Sequence, residues 1–206
     1  MRLKGWQRTS LIEYPAHIAT VLFCGGCNFR SPVCHNSQLV LYPEEVPDLT
    51  LEEVWSFLHR RAGLIDGIVI TGGEPTLQDD LVPFLRRARQ HGIDVKLDTN
   101  GYRPDVLTAL LEHGLVNYVA MDVKAPVKKY HLLAGRDDLD IARLEQSIVL
   151  LRESGLPYEF RTTIVPGLLD EDDVEEIARW IAGADRYVLQ QFRPLNTLDP
   201  TFEKTS

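Results

Sequence analysis

Short apolar runs bounded by turn residues alternate with amphipathic segments along most of the chain. The apolar runs predict six strands, at positions 18–23, 67–70, 93–97, 118–121, 158–165 and 187–192. The amphipathic segments predict helices at positions 51–61, 81–90, 104–113, 141–154 and about 170–182, and the polar segment 193–206 is predicted to be irregular. Strands that alternate with helices are typical of a parallel sheet made of βα units. The pattern therefore predicts an α/β protein with parallel strands, either a (β/α) barrel or an open α/β sheet.

Length and composition narrow the class of protein. The 206 residues are expected to form one domain, 1–206, and contents of 44% hydrophobic and 25% charged residues are those of a soluble globular protein. The net charge of -8 argues against nucleic-acid or anionic membrane partners, which favour basic surfaces. The sequence shows no bilayer-spanning apolar run and no signal peptide. An odd number of cysteines predicts reduced thiols in the cytoplasm.

All three cysteines lie in one short stretch, 24–34, which reads C-G-G-C-N-F-R-S-P-V-C and follows the first predicted strand. A structural zinc site usually needs four ligands, and His35 is awkwardly adjacent to Cys34 for a fourth. A catalytic thiol does not require three cysteines together. An iron–sulfur cluster with one iron left open for a ligand agrees best with the clustering, and three unligated thiols are the simplest alternative.

Polar residues follow several of the other predicted strands. Because the carboxyl ends of parallel strands meet at one edge of a sheet, these residues are expected to share one site with the cysteines. The paired glycines Gly72 and Gly73 would let the backbone approach a ligand closely, and Glu74 could accept a hydrogen bond from an ammonium group. The structural alternative is a tight turn with an acid near the start of the next helix. Asp98 and Asp122 could bind a cation or hydroxyl groups. The structural alternatives are capping of the turn that follows for Asp98 and an ion pair with Lys124 for Asp122. Arg161, inside a strand, is expected to pair with an acid such as Asp122 or Glu159, or to bind a ligand carboxylate.

Six ordered motifs are spread over nearly the whole chain: T-S-L-I-E-Y-P at 9–15, C-N-F-R at 27–30, C-H-N at 34–36, T-G-G-E-P-T-L-Q at 71–78, K-L-D-T-N-G at 96–101 and M-D-V-K at 121–124. Together they resemble the motifs of the radical SAM superfamily. The nearest resemblance is to small glycyl-radical enzyme activating enzymes, in particular the activating proteins of anaerobic ribonucleoside-triphosphate reductase, which are similar to pyruvate formate-lyase activating enzyme.

The resemblance implies a partial (β/α)6 TIM-type barrel that holds a [4Fe–4S] cluster and S-adenosylmethionine. An electron from a flavodoxin or ferredoxin-type donor would cleave the cofactor, and the resulting 5′-deoxyadenosyl radical would abstract hydrogen from a glycine of a partner enzyme, here anaerobic ribonucleotide reductase. The protein's part is to position the cofactor and exclude water. An active radical SAM enzyme acting on a small molecule is an alternative, because related enzymes share the barrel.

The resemblance also assigns roles by position. The cluster motif Cys-x3-Cys-x2-Cys falls on Cys27, Ser31 and Cys34, of which the two cysteines and Lys124 are the catalytic candidates. The ammonium of the cofactor is assigned to Gly72, Gly73 and Glu74. A monovalent cation beside the cofactor carboxylate is assigned to Asp98, Thr99 and Asp122, and further cofactor contacts to Lys124 and Arg161.

The cysteine stretch departs from the family pattern at three positions. Ser31 stands at the central ligand position, Val33 stands where an aromatic residue is usual, and Cys24 is additional. A serine oxygen is a harder and less acidic donor than a thiolate, which predicts weaker cluster binding. Three explanations are open: Cys24 is a substitute ligand, the protein has weakened or lost activity, or Ser31 is an introduced residue. A cluster-deficient module that binds S-adenosylmethionine or a partner is the corresponding alternative function.

Overall fold

The computed structural model describes residues 1–204, and its framework is one seven-stranded sheet whose strand order follows the sequence. The strands are β1 (Leu3–Ser10), β2 (Ala19–Cys24), β3 (Gly67–Gly72), β4 (Asp94–Thr99), β5 (Tyr118–Asp122), β6 (Tyr158–Ile164) and β7 (Tyr187–Gln191). The α-helices are α1 (Ser37–Leu41), α2 (Leu51–Arg60), α3 (Leu81–Gln90), α4 (Pro104–Glu112), α5 (Tyr130–Ala134), α6 (Ile141–Glu153) and α7 (Glu171–Trp180).

Strands β2 to β7 are parallel, and each pairs with its successor in the chain. A strand order that never reverses is that of a barrel and not of a doubly wound sheet, in which the order changes direction at a switch point. The prediction of a partial (β/α)6 TIM-type barrel is therefore confirmed. All six strands predicted from apolar runs are present, within a few residues of the expected bounds.

Strand β1 was not predicted, and it pairs antiparallel with β2 at the edge of the sheet. Its sequence, L-K-G-W-Q-R-T-S, lacks an apolar run because only one side of an edge strand is covered. The five-residue helices α1 and α5 were also missed, since each is too short to show a helical period. The segment predicted to be irregular contains a 3-10 helix at Pro200–Lys204, and its last two residues lie outside the described part of the chain.

The two faces of the sheet are buried in different ways. The larger core lies between the strands and the helices and includes Ile68 and Ile70 of β3. The interior of the barrel holds a much smaller cluster, which includes Val21 and Val69. Alternate residues of one strand thus reach opposite faces, as the period of two requires. Within residues 1–204, no helix combines the length and apolar composition that a membrane crossing requires.

The amino ends of the parallel strands are closed by the loop that follows β1. Tyr14 is buried, stacks on His17 with ring centroids 3.9 Å apart, and packs near Tyr118 of β5. The His17 ring contacts the Pro15 carbonyl at 2.8 Å through Nδ1, and Asp94 Oδ2 at 3.1 Å through Nε2. Burial lowers the pKa of His17, but these contacts outweigh it and leave the pKa above its ordinary value of 6.5.

Replacing His17 with Gln should therefore destabilise the protein more at acid pH than at alkaline pH. A raised folded-state pKa contributes stability fully below the unfolded value of 6.5 and loses it as pH rises through the folded value. The extra loss should stay below about 1 kcal/mol, because the pair is partly exposed. Denaturant unfolding below pH 6.5 and above the raised pKa of folded His17 measures the difference in the free energy of unfolding.

Asp94→Asn is the matched control, since it retains an oxygen acceptor for the Asn117 amide but loses the charge that faces His17. In that background, the effects of His17→Gln at the two pH values should differ less, because only the Pro15 carbonyl and the charge of Asp66 still raise the pKa of His17. An equal loss of stability at both pH values in the wild-type background would contradict the assignment.

Candidate active site

A cavity of about 440 Å³ opens at the carboxyl ends of the parallel strands. Eleven of the twelve residues predicted from the sequence line it: Cys27, Ser31, Cys34, Gly72, Gly73, Glu74, Asp98, Thr99, Asp122, Lys124 and Arg161. They come from the ends of β3, β4, β5 and β6 and from the loop after β2. The expectation that they share one edge of the sheet is confirmed, whereas their individual roles stay predictions.

The cysteine loop is held by the backbone of the loop after β3. The Gly73 N–H donates to the Cys24 carbonyl, and the Glu74 N–H donates to the Gly26 carbonyl, both at 2.8 Å. A Cβ atom at Gly73 would lie 2.0 Å from the Gly26 oxygen, and one at Gly72, where φ is +107°, would lie 2.5 Å from the Cys24 nitrogen. The two glycines are therefore required by this backbone contact, whatever ligand the cavity receives.

The opposite side of the cysteine loop rests on the end of α5. The Arg30 N–H donates to the Ala134 carbonyl at 2.8 Å. Gly135 ends α5 with φ +61°, and a Cβ atom there would lie 2.0 Å from the Arg30 oxygen. The loop is thus fixed by main-chain contacts on two sides, which sets the positions of its side chains.

Two thiols and one hydroxyl of this loop lie on the cavity wall. Burial and then the charge of Glu74 raise the pKa of Cys27 to about 11, and the Phe29 N–H, 3.4 Å from Sγ, and Lys124 only partly offset this. Burial likewise raises the pKa of Cys34, again with Lys124 acting in the opposite direction. Ser31 is 7% exposed and lies between them in sequence.

Cys24 does not lie with the other two cysteines. It is fully buried in the core between the sheet and the helices, and it does not line the cavity. Burial raises the pKa of its thiol to about 12. His35, the other conceivable extra ligand, directs Nε2 to the Arg193 carbonyl at 2.7 Å and stacks on Phe192.

Two of the three side chains expected to bind a [4Fe–4S] cluster are thiols, and the third, Ser31, is a hydroxyl. Cys27 and Cys34 supply sulfur, the ligand that iron–sulfur clusters require, and both face a cationic lysine. Within residues 1–204, no three side chains of His, Cys, Asp or Glu are arranged to hold a single metal ion. The site therefore suits a cluster held through two thiolates, with the Ser31 hydroxyl as the third protein donor.

Glu74 joins the loop after β3 to the loop after β4. Its Oε1 accepts hydrogen bonds from Thr76 N–H at 3.1 Å, Thr76 Oγ1 at 2.6 Å and Thr99 Oγ1 at 2.8 Å, and its Oε2 accepts from Asn100 N–H at 2.8 Å. The side chain is 1% exposed, and burial raises its pKa although the four donors oppose this effect. The carboxyl group fixes the rim and leaves little of its surface for a ligand.

Asp98, Asp122 and Arg161 form an ionic network across three strands. The Arg161 guanidinium contacts Asp122 Oδ1 at 3.0 Å and Asp98 Oδ2 at 3.3 Å, which confirms the expected pairing with Asp122. Burial opposes both charges, but Arg161 and Lys124 keep the pKa of Asp122 below its ordinary value, and the two acids raise that of Arg161. Lys124 lies 3.5 Å from Asp122 Oδ2 and faces both cavity thiols.

Several asparagines of the site were not predicted from the sequence. The Asn36 amide donates to the Gly72 carbonyl at 2.8 Å, and the Asn100 amide donates to Asn28 Oδ1 at 2.7 Å and reaches Cys27 Sγ at 3.8 Å. All three lie within the motifs of the sequence, which were the available signal, but no role was assigned to them there. Glu13, from the loop after β1, also lines the cavity.

Comparison with known proteins shows to which family the chain is similar. The family model of the radical SAM superfamily matches residues 21–181. The chain is 38% identical over 199 residues to a candidate glycyl-radical enzyme activating enzyme of Methanocaldococcus jannaschii, covering 95% of this chain and 81% of that protein. It is 26% identical over 204 residues to the pyruvate formate-lyase-activating enzyme of Clostridium pasteurianum, covering 96% of this chain and 83% of the other.

A solved structure shows the same fold at low sequence identity. SuiB of Streptococcus suis, bound to its precursor peptide SuiA, superposes with a TM-score of 0.64 and 16% identity. The match covers 84% of this chain but only 38% of the SuiB chain. The family match over residues 21–181 and the 38% identity to the M. jannaschii protein establish that the chain belongs to the radical SAM superfamily.

Proposed function

We propose that this protein is a radical SAM activating enzyme that installs a glycyl radical on a partner enzyme, most specifically an anaerobic ribonucleotide reductase. The observation that carries the proposal is the single cavity shared by two thiols, the Glu74 rim and the Asp98–Arg161–Asp122 network. The extensive similarity to the activating enzymes supports the same class of partner.

Cys27 and Cys34, with Ser31, would hold a [4Fe–4S] cluster on the cavity wall. When bound and reduced, this cluster supplies the electron that cleaves S-adenosylmethionine into methionine and a deoxyadenosyl radical. The chain's own contribution is positioning. The main-chain contacts of Gly73 and Gly135 hold the thiols at a fixed place relative to the ends of β3 and β4.

The charged groups on the wall suit the amino-acid part of S-adenosylmethionine. The cations of Lys124 and Arg161 lie on either side of Asp122 on the cavity wall and suit a carboxylate. The loop of Gly72, Gly73 and Glu74 also lines the cavity and suits the ammonium group through its backbone carbonyls more than through the Glu74 carboxyl, which already accepts four hydrogen bonds.

The partner and the electron donor belong to the same proposal. A flavodoxin or ferredoxin-type protein would donate the electron that reduces the cluster. A second candidate function, a module that binds S-adenosylmethionine without a cluster, is favoured by two observations: an oxygen donor stands at Ser31 in place of a thiolate, and Cys24 lies in the core. Iron binding separates the two functions.

Substituting Ser31 with Cys should increase the iron and sulfide retained per chain after anaerobic reconstitution. A third thiolate on the same wall provides the softer and more acidic donor that iron–sulfur clusters favour. Chemical analysis of iron and sulfide, with the electron paramagnetic resonance spectrum of the reduced protein, measures the change. Ser31→Ala is the matched control and should retain less iron than the unmodified protein. Absence of iron from both the unmodified protein and Ser31→Cys would leave only the cluster-free module.

Replacing Lys124 with Met should weaken S-adenosylmethionine binding about tenfold, the effect of losing ~1.4 kcal/mol from a charge-assisted hydrogen bond. Calorimetric titration of the reconstituted protein gives the dissociation constant. The control is Lys128→Met, which removes an exposed lysine paired with Glu176 outside the cavity. Equal affinities of the two variants would contradict the assignment of Lys124.

Mixing the reduced protein with S-adenosylmethionine and an anaerobic ribonucleotide reductase should produce a glycyl radical signal in the partner. The signal is read by electron paramagnetic resonance and should lose its hydrogen splitting when the partner's glycine is deuterated at Cα. Cleavage of the cofactor without a signal in this partner would keep the radical SAM activity and reject the reductase as the substrate.

A further inference from the structure

Lys96 is a buried cation that none of the proposed steps uses. It lies in the middle of β4, is 2% exposed, and points into the barrel beneath the cavity. Its Nζ donates to Asp98 Oδ1 at 2.5 Å and lies 6.0 Å from the centre of the Tyr118 ring. Burying an ammonium group is costly unless it is paired, so the contact with Asp98 is what allows Lys96 to remain there.

With Lys96 included, each carboxylate oxygen of the network faces a cation of the chain itself. Oδ1 of Asp98 faces Lys96 and Oδ2 faces Arg161, while Oδ1 of Asp122 faces Arg161 and Oδ2 faces Lys124. Three cations thus surround two acids. An additional metal cation at these oxygens would have to displace one of the three cations or lie beside them.

We propose that the Lys96 ammonium group is a built-in counter-ion that takes the place of a monovalent metal cation at Asp98. Na⁺ or K⁺ would need carboxylate oxygens that Lys96 and Arg161 already occupy, and would leave a buried ammonium group unpaired. The expected effect of Lys96 on cofactor binding rests on the proposed function. Its position as the counter-ion of Asp98 does not. Lys96 is accordingly a positioning residue that acts through Asp98 and Arg161.

The test compares potassium chloride with tetramethylammonium chloride at equal ionic strength, because the organic cation is too large to enter a site of carboxylate oxygens. In the unmodified protein, the melting temperature and the affinity for S-adenosylmethionine should be the same in both salts. In Lys96→Met, which keeps the length of the side chain without its charge, K⁺ should restore a cation at Asp98. The melting temperature should then rise by about 3 °C and the affinity by about tenfold in potassium chloride.

Lys129→Met is the matched control, because Lys129 pairs at 2.5 Å with the buried acid Asp173 outside the cavity. It measures the general response to K⁺ when a lysine partner of a buried carboxylate is removed. A response of Lys96→Met no larger than that of Lys129→Met would overturn the proposal.

The unmodified protein provides a second test that does not depend on whether Lys96→Met folds. A severalfold loss of its affinity for S-adenosylmethionine when tetramethylammonium replaces K⁺ would show that a metal cation is needed beside Lys96, and would reject the proposal. If the unmodified protein binds no S-adenosylmethionine in either salt, the proposed function fails. The melting temperatures of the two lysine variants then still decide the role of Lys96.

Discussion

The position of the whole site depends on one contact between two stretches of backbone. Gly73 and Glu74 donate hydrogen bonds to the carbonyls of Cys24 and Gly26, at a separation that leaves no room for a side chain at Gly73. The same loop carries the Glu74 carboxyl, which binds the end of β4 through Asn100. The contact therefore sets the distance between the thiols, the rim and the ionic network, although none of its atoms need touch a ligand.

The ionic network solves a problem that the barrel creates. Inward-facing residues such as Ala19, Val21 and Val69 are apolar and pack with the buried Tyr14. Carboxylates at the carboxyl ends of the strands therefore lose much of their water. Unpaired, these acids would bind protons instead of remaining ionised. Arg161 and Lys124 keep Asp122 charged, as its lowered pKa shows. The cavity is thereby prepared for a charged, zwitterionic ligand before one arrives.

The sequence was informative wherever a strand direction or a local pattern determined the outcome. Apolar runs identified the six parallel strands, and parallel strands bring their carboxyl ends together, so the site residues could be grouped without a structure. Strand β1 could not be predicted because an edge strand needs no apolar run. The contact between Asp98 and Arg161, which lie on β4 and β6 with β5 between them, depends on the curvature of the sheet, which no local pattern encodes. The inward direction of Lys96 and its contact with Asp98 could have been inferred from the alternation along β4, because Leu97 faces outward and residues 96 and 98 share a face.

The same alternation determines what Cys24 can do. Phe23 packs with the barrel interior, so its neighbour Cys24 faces the helices. Cys24 is the last residue of β2 and pairs with Gly72 of β3, so bringing its side chain into the cavity would require a shift of the backbone at the end of β2 out of this pairing. Such a shift would also break the Gly73 contact that holds the loop. The strand to which Cys24 belongs thus places its thiol outside the cavity, whereas Ser31 lines the cavity together with Cys27 and Cys34.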